Sequence, residues 1–533
     1  MKVWQYTIEI IRFRFRFWAI NLAGIIALIM LDLVPGQLLR RFFDWLTGAS
    51  PAALNLWTLV GLYAAVSLGR TLAINTLMRT NTPFSWDNFA LLRKNLLRHI
   101  LNAPGARALP SSTGEAISRF GDDIETNVGT IMWMNDMIAF SISTTVAVII
   151  MLRINSFLTL AVLLPMVFVL TIANIAGTRI EQNRIKSREA AGKVSGFLGE
   201  VIGGVQAVQV NGAEGAVTNY FRTINEERRI VSVRDRLFEE ILMSVFRHTS
   251  NLGVGVILIL AAQSIRDGSF TVGDFVLFAA YLEPITAFTG LLGAFFARYK
   301  QMGVSYDRMA TLLHGAPPSA LVAHGPIYRK EDLPEILVKR KQPEDQLEVL
   351  EVENLSYRYP DSGRGISDVN LRLPRGSFTV VTGRIGSGKT TLLRAVLGLL
   401  PAESGHIRWN EQLVEDAGAF MTPPRSAYTP QVPRLCSESI KDNILLGLPE
   451  KDVDMQAALT AAVLEPDLET MPDGLDTLIG PRGVRLSGGQ AQRVAAARMF
   501  IRDAELIVCD DLSSALDVET ERTLWERVFA KQH

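Results

Sequence analysis

Three short stretches of this 533-residue chain carry residue types that could do chemistry on a phosphate. The first is Gly383-Arg384-Ile385-Gly386-Ser387-Gly388-Lys389-Thr390-Thr391, between the strand-like Ser377–Thr382, with its apolar run Phe378–Val381, and the helix-forming run Leu392–Leu400. Strand, glycine-rich loop and helix in that order make a phosphate-binding loop. Glycines let backbone N–H groups wrap phosphate oxygens without side-chain interference, at a helix N-terminus that favours anions. Lys389 supplies a point charge for the β- and γ-phosphates, and Thr390 offers its hydroxyl to Mg²⁺. A chance glycine-rich turn is the bland alternative, and the flanking strand and helix argue against it. The second stretch, Leu506–Asp511, is a short apolar strand ending in Asp510 and Asp511. Such a run is weak evidence alone; paired with the loop upstream, it delivers a carboxylate that completes a Mg²⁺ site. The third, Leu486-Ser487-Gly488-Gly489-Gln490, opens the helical run Ala491–Phe500, where small residues again present N–H groups to an anion.

These stretches need a soluble α/β scaffold, and residues 346–533 have the composition for one, with strand-like Leu347–Val352 and Leu355–Tyr359 at its start. The first 300 residues differ. They carry six apolar runs near the ~20 residues that cross a bilayer: Trp18–Val34, Leu56–Ala73, Ile131–Leu152, Phe157–Gly177, Thr249–Ile265 and Phe275–Ala297. The first run has no small-residue cleavage site and is followed by more spans, so it is no signal peptide. Lysine and arginine number 21 in the N-terminal tail and the two long loops, against four in the three short loops. That asymmetry puts the N-terminus and both long loops on the cytoplasmic side. Residues 1–17 alternate Arg12, Arg14 and Arg16 with Phe13, Phe15 and Phe17, which before a span reads as an interfacial helix with arginines snorkelling to lipid headgroups. The membrane domain covers 18–305, its long loops read as helical extensions into the cytoplasm, and the proline-bearing, charged stretch 306–345 reads as a linker.

Composition removes other classes. Lysine plus arginine and aspartate plus glutamate are 54 each, so no general positive field exists to hold nucleic acid. Two cysteines, Cys436 and Cys509, exclude a disulfide scaffold and a four-cysteine zinc site, and the six histidines show no metal-ligand spacing.

With six spans, a phosphate loop and the ordered sequence Leu486–Gln490 between the two nucleotide motifs, the chain resembles an ATP-binding cassette (ABC) half-transporter of the exporter type along essentially its whole length. The resemblance implies an all-α transmembrane domain followed by an α/β P-loop NTPase domain of the ABC type, with ATP and Mg²⁺ as cofactors. It implies catalytic roles for Asp511, Gln431 and Lys389, and Mg²⁺ contacts from Thr390, Gln431 and Asp510. Tyr359, 24 residues before Gly383, is similar to the aromatic that stacks on adenine, with Tyr357 as the fallback. Residues 383–391 would hold this chain's own nucleotide. Ser487, Gly488, Gly489 and Gln490, the family's signature, would reach the γ-phosphate held by a partner cassette, and Ser514–Asp517 is similar to the loop crossing that interface. Thr113–Asp123 and Asn211–Glu214 fall where the family places its coupling helices.

Two departures follow. The residue after the Mg²⁺ aspartate is a glutamate in the family pattern and is Asp511 here. Its carboxylate is withdrawn by one C–C bond, about 1.5 Å, so this chain's own site is expected to hydrolyse slowly unless a small backbone shift restores its reach. An intact signature beside an altered carboxylate favours a heterodimer with a second, different half over a homodimer. The family's switch histidine follows one further strand; His533, 22 residues past Asp511, comes too early for it, so the cassette reads as truncated. The cargo is unnamed. Glu283, beside Pro284 near the middle of the sixth run, either meets cargo in a cavity or is hydrogen-bonded against another helix. The expectation is an ATP-driven pump, with export as its direction, in a plasma (inner) membrane with the N-terminus and cassette in the cytoplasm. An ATP-gated channel, a regulatory membrane subunit or an importer built on the exporter fold is the alternative.

Overall fold

The computed structural model describes residues 1–48, 56–103, 105, 113–313, 315–329, 332–334, 338–360, 362–480 and 484–530, with the side chains of 56, 113, 165–166, 168–183, 242–243, 245–247, 249–252 and 263 outside the description. His314 and His533 lie outside the described residues. Two compact units divide the chain, one of Met1–Leu97 with Ser111–Ile327, the other of Arg98–Pro110 with Tyr328–His533.

The first unit is helical. Its elements are α1 (Val3–Phe13), α2 (Phe15–Leu31), α3 (Val34–Leu46), α4 (Leu56–Asn102), α5 (Thr113–Ser118), α6 (Ile124–Ile154), α7 (Ser156–Gly203), α8 (Val205–Val210), α9 (Glu214–Arg266) and α10 (Val272–Thr311). Local chemistry sets several ends. Pro35 opens α3, Asn155 accepts from Leu158 N–H at 3.0 Å to start α7, and Thr271 with Asp274 forms a capping box on α10. Helices α4, α7 and α9 hold 47, 48 and 53 residues. At 1.5 Å per residue that is roughly 70–80 Å, far beyond the ~30 Å hydrocarbon layer. The long loops expected from sequence are therefore continuations of the spans.

Among the described residues, Phe15–Leu46, Trp57–Asn102, Gly114–Ile154 and Val272–Thr311 are long and apolar enough to cross a membrane. Only 6% of the apolar window of Trp57–Asn102 and 33% of that of Val272–Thr311 is buried within the chain. A water-soluble protein does not leave that much contiguous apolar surface bare; lipid or another chain must cover it. The expected spans Phe157–Gly177 and Thr249–Ile265 fall partly outside the described side chains, the latter retaining a shorter apolar stretch, Gly253–Ala262.

Four expectations for this unit change. Arg14 does not snorkel: it sits at the break between α1 and α2, and its Nε pairs with Asp87 Oδ2 at 2.6 Å, because a buried carboxylate on α4 competes better for the guanidinium than water does. Thr113–Asp123 is no separate helix, since α5 passes through a π-helical turn, Arg119–Asp123, directly into α6. Asn211–Ala213 is the turn between the six-residue α8 and α9, and Glu214 opens α9. The linker also starts later than residue 306, as α10 runs on to Thr311.

The second unit carries β1 (Val349–Arg358), β2 (Gly365–Pro374), α11 (Lys389–Val396), β3 (Ser404–Trp409), β4 (Gln412–Leu413), α12 (Ala417–Phe420), β5 (Ser426–Thr429), α13 (Ile440–Leu445), α14 (Met455–Ala461), α15 (Glu465–Thr470), α16 (Gly488–Phe500), β6 (Leu506–Cys509) and α17 (Val518–Ala530). Strands β2-β1-β3-β4 form an antiparallel sheet, and β5 pairs in parallel with β6, Ser426 opposite Leu506 through Thr429 opposite Cys509. The two strands expected over 347–359 are one, β1, with an irregular register after Val352. The expected strand Ser377–Thr382 joins no ladder among the described residues. Apolar content gives a segment its extended propensity, but a strand exists only where a neighbouring backbone supplies partners. Phe378 instead packs its ring on Trp525 and Phe529 of α17, with centroids 5.5 and 4.9 Å away.

Two hydrophobic cores result. One gathers Leu350, Val352, Ile407 and Trp409 of the antiparallel sheet with Ala395 and Val396 of α11. The other gathers Ile440, Ile444, Leu459, Val494, Ala497 and Leu524, from α13, α14, α16 and α17. The phosphate loop leads into a helix of the first core, whereas the signature heads a helix of the second.

Candidate nucleotide-binding site

The phosphate loop owes its shape to its glycines. Gly386 and Gly388 have φ of +80° and +96°, a region that side-chain-bearing residues avoid. Gly388 is also the N-cap of α11, so the first N–H groups of that helix, from Lys389 to Thr391, have no partner within the helix. Lys389 Nζ donates to the carbonyls of Gly383 at 3.0 Å and Arg384 at 3.2 Å, folding the ammonium back onto the loop's own backbone. Arg384, Ile385 and Ser387 are exposed along the rim. Thr391 is buried.

Strand β6 brings the carboxylates to this loop. Thr390 Oγ1 donates to Asp510 Oδ1 at 3.0 Å, and Asp510 N–H donates to Thr429 O at 3.0 Å, fixing the strand end against β5. A hydroxyl and a carboxylate held together are hard oxygen donors of the kind Mg²⁺ takes, so these residues fit that ion. Asp511 turns out of the strand with φ of +59°, a left-handed conformation that aspartate tolerates better than glutamate does. Its exposed Oδ2 accepts from Gln431 Nε2 at 3.1 Å. Gln431, expected as a metal ligand, is thereby hydrogen-bonded to the carboxylate expected to be catalytic.

The two aromatics expected against adenine differ in burial. Tyr357 is 1% exposed and belongs to the core, which removes it as a stacking surface, whereas Tyr359 is partly exposed at the hairpin between β1 and β2.

The signature builds the start of α16. Ser487 is its N-cap: Ser487 Oγ accepts Gln490 N–H at 3.2 Å, and Gln490 Oε1 accepts Ser487 N–H at 2.9 Å. Gln490 Nε2 donates on to Asp467 Oδ1 at 3.3 Å, a carboxylate that also takes Arg493 in a bidentate pair at 2.6 and 2.8 Å. The Gln490 side chain is therefore committed inside the chain. A ligand would find instead the Ser487 hydroxyl proton and the N–H groups of Gly488 and Gly489.

Family models match both units. The ABC transporter transmembrane region covers residues 18–288, half the chain, and the ABC transporter cassette covers 366–514, including the phosphate loop, signature and both aspartates. The chain belongs to the ABC transporter family. The probable multidrug resistance ABC transporter ATP-binding/permease protein YheI of Bacillus subtilis is 24% identical over 96% of this chain and 85% of its own length. The ATP-dependent lipid A-core flippase of Bordetella pertussis is 26% identical over 81% of this chain and 67% of its own. A bacterial Atm1-family ABC exporter solved with ATP bound superimposes with a TM-score of 0.72 at 19% identity, over 96% of this chain and 89% of that one, which shows a common fold. This ABC half-transporter is thus an integral membrane protein of exporter architecture whose cassette binds ATP and couples its hydrolysis to transport.

Sequence reasoning missed several residues of this ABC cassette. Tyr428, on β5, points its hydroxyl at Asp510 Oδ2, 3.4 Å away, and Arg394 of α11 interacts with the same hydroxyl. Burial, outweighing Arg394, raises the Tyr428 pKa, so it stays a neutral donor. Asp467 and Arg493, which lock Gln490, carried no motif. Asp517 is spent capping α17: its pKa is lowered by the Thr520 N–H and hydroxyl that its carboxylate accepts at 2.9 and 2.7 Å. In the membrane unit, Asp136 stands as the one ionisable residue of the run Ile131–Leu152, unremarked in the sequence reading beside Glu283.

Proposed function

We propose that this ABC half-transporter pumps its cargo across the plasma (inner) membrane as one half of a paired assembly, with its N-terminus and cassette in the cytoplasm. The observation that carries the reading is that phosphate loop and signature stand on different cores of one cassette, with the Ser487-capped start of α16 offering donors that residues 383–391 do not use. A second cassette facing this one would bring each signature to the other's nucleotide.

In that assembly Tyr359 stacks on adenine, the N–H groups of 383–391 and Lys389 Nζ hold the phosphates, and Ser487, Gly488 and Gly489 donate to the partner-bound γ-phosphate, a neighbourhood Gln490 shapes from behind. Thr390 and Asp510 would hold Mg²⁺, with Gln431 beside them, and the bound ion would supply neutralisation of charge at the phosphates. Asp511, oriented by Gln431, draws the attacking water's proton. Its shorter reach makes this chain's own site the slow one, and an intact signature beside it supports pairing with a different half whose site is fast. ATP binding closes the cassettes, the helices that overrun the bilayer carry the closure to the spans, and release after hydrolysis resets them. Glu283 is exposed on α10 and makes no hydrogen bond or ion pair among the described residues. A bare carboxylate at membrane depth favours a cationic or amphipathic cargo over a packed structural role.

The test is vanadate-sensitive ATP turnover by the chain alone in lipid, with cargo accumulation followed in sealed vesicles. ATP binding with negligible turnover supports the slow-site, mixed-pair reading. Robust turnover that Asp511→Asn abolishes replaces it with a self-sufficient homodimer. Nucleotide-dependent conductance without accumulation would make the protein a gate and end the pump reading.

A further inference from the structure

The loop that follows Asp511 is tied to the signature helix by one buried side chain. Gln492, on α16, is 5% exposed. Its Nε2 donates to Ser514 Oγ at 2.7 Å, and its Oε1 accepts the Ala515 N–H at 3.0 Å. Ser514 Oγ passes its own proton to the carbonyl oxygen of Asp511 at 3.2 Å. The amide serves both bonds because it carries its donor and its acceptor on two separate atoms of one planar side-chain end. Glutamate would keep the acceptor and lose the donor; alanine would lose both. Packing reinforces the tie. A Cβ on Gly489 would stand 2.8 Å from Ala515 O, so the signature's backbone lies directly against the same loop. Asp511 is consequently gripped twice, at its carbonyl through Ser514 and at its carboxylate by Gln431.

We propose that Gln492 is a positioning residue that couples the two nucleotide sites: movement of the signature, when the partner's nucleotide settles on it, passes through Gln492 and Ser514 to the backbone that aims Asp511. The coupling rests on the paired-cassette reading above. The tie itself is intramolecular. Asp511 sits in a left-handed conformation set by its backbone, so a small shift of the 512–515 segment swings its carboxylate. Misplacement on the order of 1 Å is enough to change rates roughly 100-fold. A loosely held loop would absorb the signature's movement; a buried, doubly bonded one transmits it.

Hydrogen–deuterium exchange of the full chain in lipid nanodiscs separates the parts. Without nucleotide, Gln492→Ala should speed exchange of the Ala515 amide by roughly 5-fold or more, the effect of losing one buried hydrogen bond. Residues 383–391 should be unaffected. With ATP, the wild-type chain should change its exchange over both 487–490 and 511–517, and in Gln492→Ala the change over 511–517 should be lost while that over 487–490 remains. Gln492→Glu should lie between the two, and Ser514→Ala gives the same readout should Gln492→Ala not fold. Unchanged Ala515 exchange in the variant overturns the tie. A full ATP response over 511–517 in the variant overturns the coupling. Protection of 383–391 by ATP with no response over 487–490 in the wild type would count against cassette pairing, leaving the nucleotide-free comparison to judge the tie.

Discussion

Asp511→Glu should make this chain a faster ATPase. The perturbation adds one methylene to a carboxylate already oriented by Gln431 at 3.1 Å, extending its reach by about 1.5 Å. If the shortfall at present is on the order of 1 Å, the rate recovered is roughly 100-fold, or about 2.7 kcal/mol of barrier. Against this stands the backbone. Residue 511 has φ of +59°, and glutamate lacks the short polar side chain that eases aspartate into that region, at a cost of about 1 kcal/mol. The recovered reach outweighs the backbone strain, leaving a net gain of roughly 10-fold or more. The assay is vanadate-sensitive phosphate release by wild type, Asp511→Glu and Asp511→Asn in nanodiscs, at saturating ATP. Asp511→Asn keeps an oxygen for Gln431 and the left-handed backbone while removing charge, so its turnover should vanish. Turnover of the Glu form within about twofold of wild type would refute the reasoning, because carboxylate reach would then not limit the reaction.

Lys389→Ala removes the ammonium now bonded to Gly383 O and Arg384 O, and with it a charge-assisted contact to phosphate. Affinity for a fluorescent ATP analogue should fall roughly 10- to 100-fold, measured by titration with Mg²⁺ present. Glu283→Gln should lower vesicle accumulation of a lipophilic cation while sparing a neutral probe of equal size; equal loss of both would make the residue structural. Burial pushes the Cys509 thiol from an ordinary 9 up to about 12, whereas Cys436 is exposed. At pH 8 a thiol reagent should therefore label Cys436 and reach Cys509 only after denaturation, as read by peptide mass. Above pH 9 the unfolded chain would lose the Cys509 proton that the folded chain keeps, so stability should fall as pH rises from about 9 toward 12, and the Cys509→Ala form should show less of that fall.

The chemistry of this protein was legible in its sequence because it resides in local runs. A loop that wraps phosphate needs glycine, lysine and a hydroxyl in adjacent positions, and a helix that receives an anion needs a serine cap and small residues in its first turn. Both are contiguous in the chain, and each opens a helix, with Gly388 capping α11 and Ser487 capping α16. Four of the apolar runs lie, among the described residues, on helices long and apolar enough to cross a membrane, a property that length and composition alone set. Other features required the chain to return on itself. Arg14 meets Asp87 across 73 residues, and Gln431 meets Asp511 across 80. Only the folded sheet brings Tyr428 to Asp510 or seats Gln492 under the loop after Asp511. The run Phe378–Val381 marks the limit from the other side. Its apolar residues signal a strand, but a ladder belongs to two segments at once, and no single segment's composition states whether its neighbour is there.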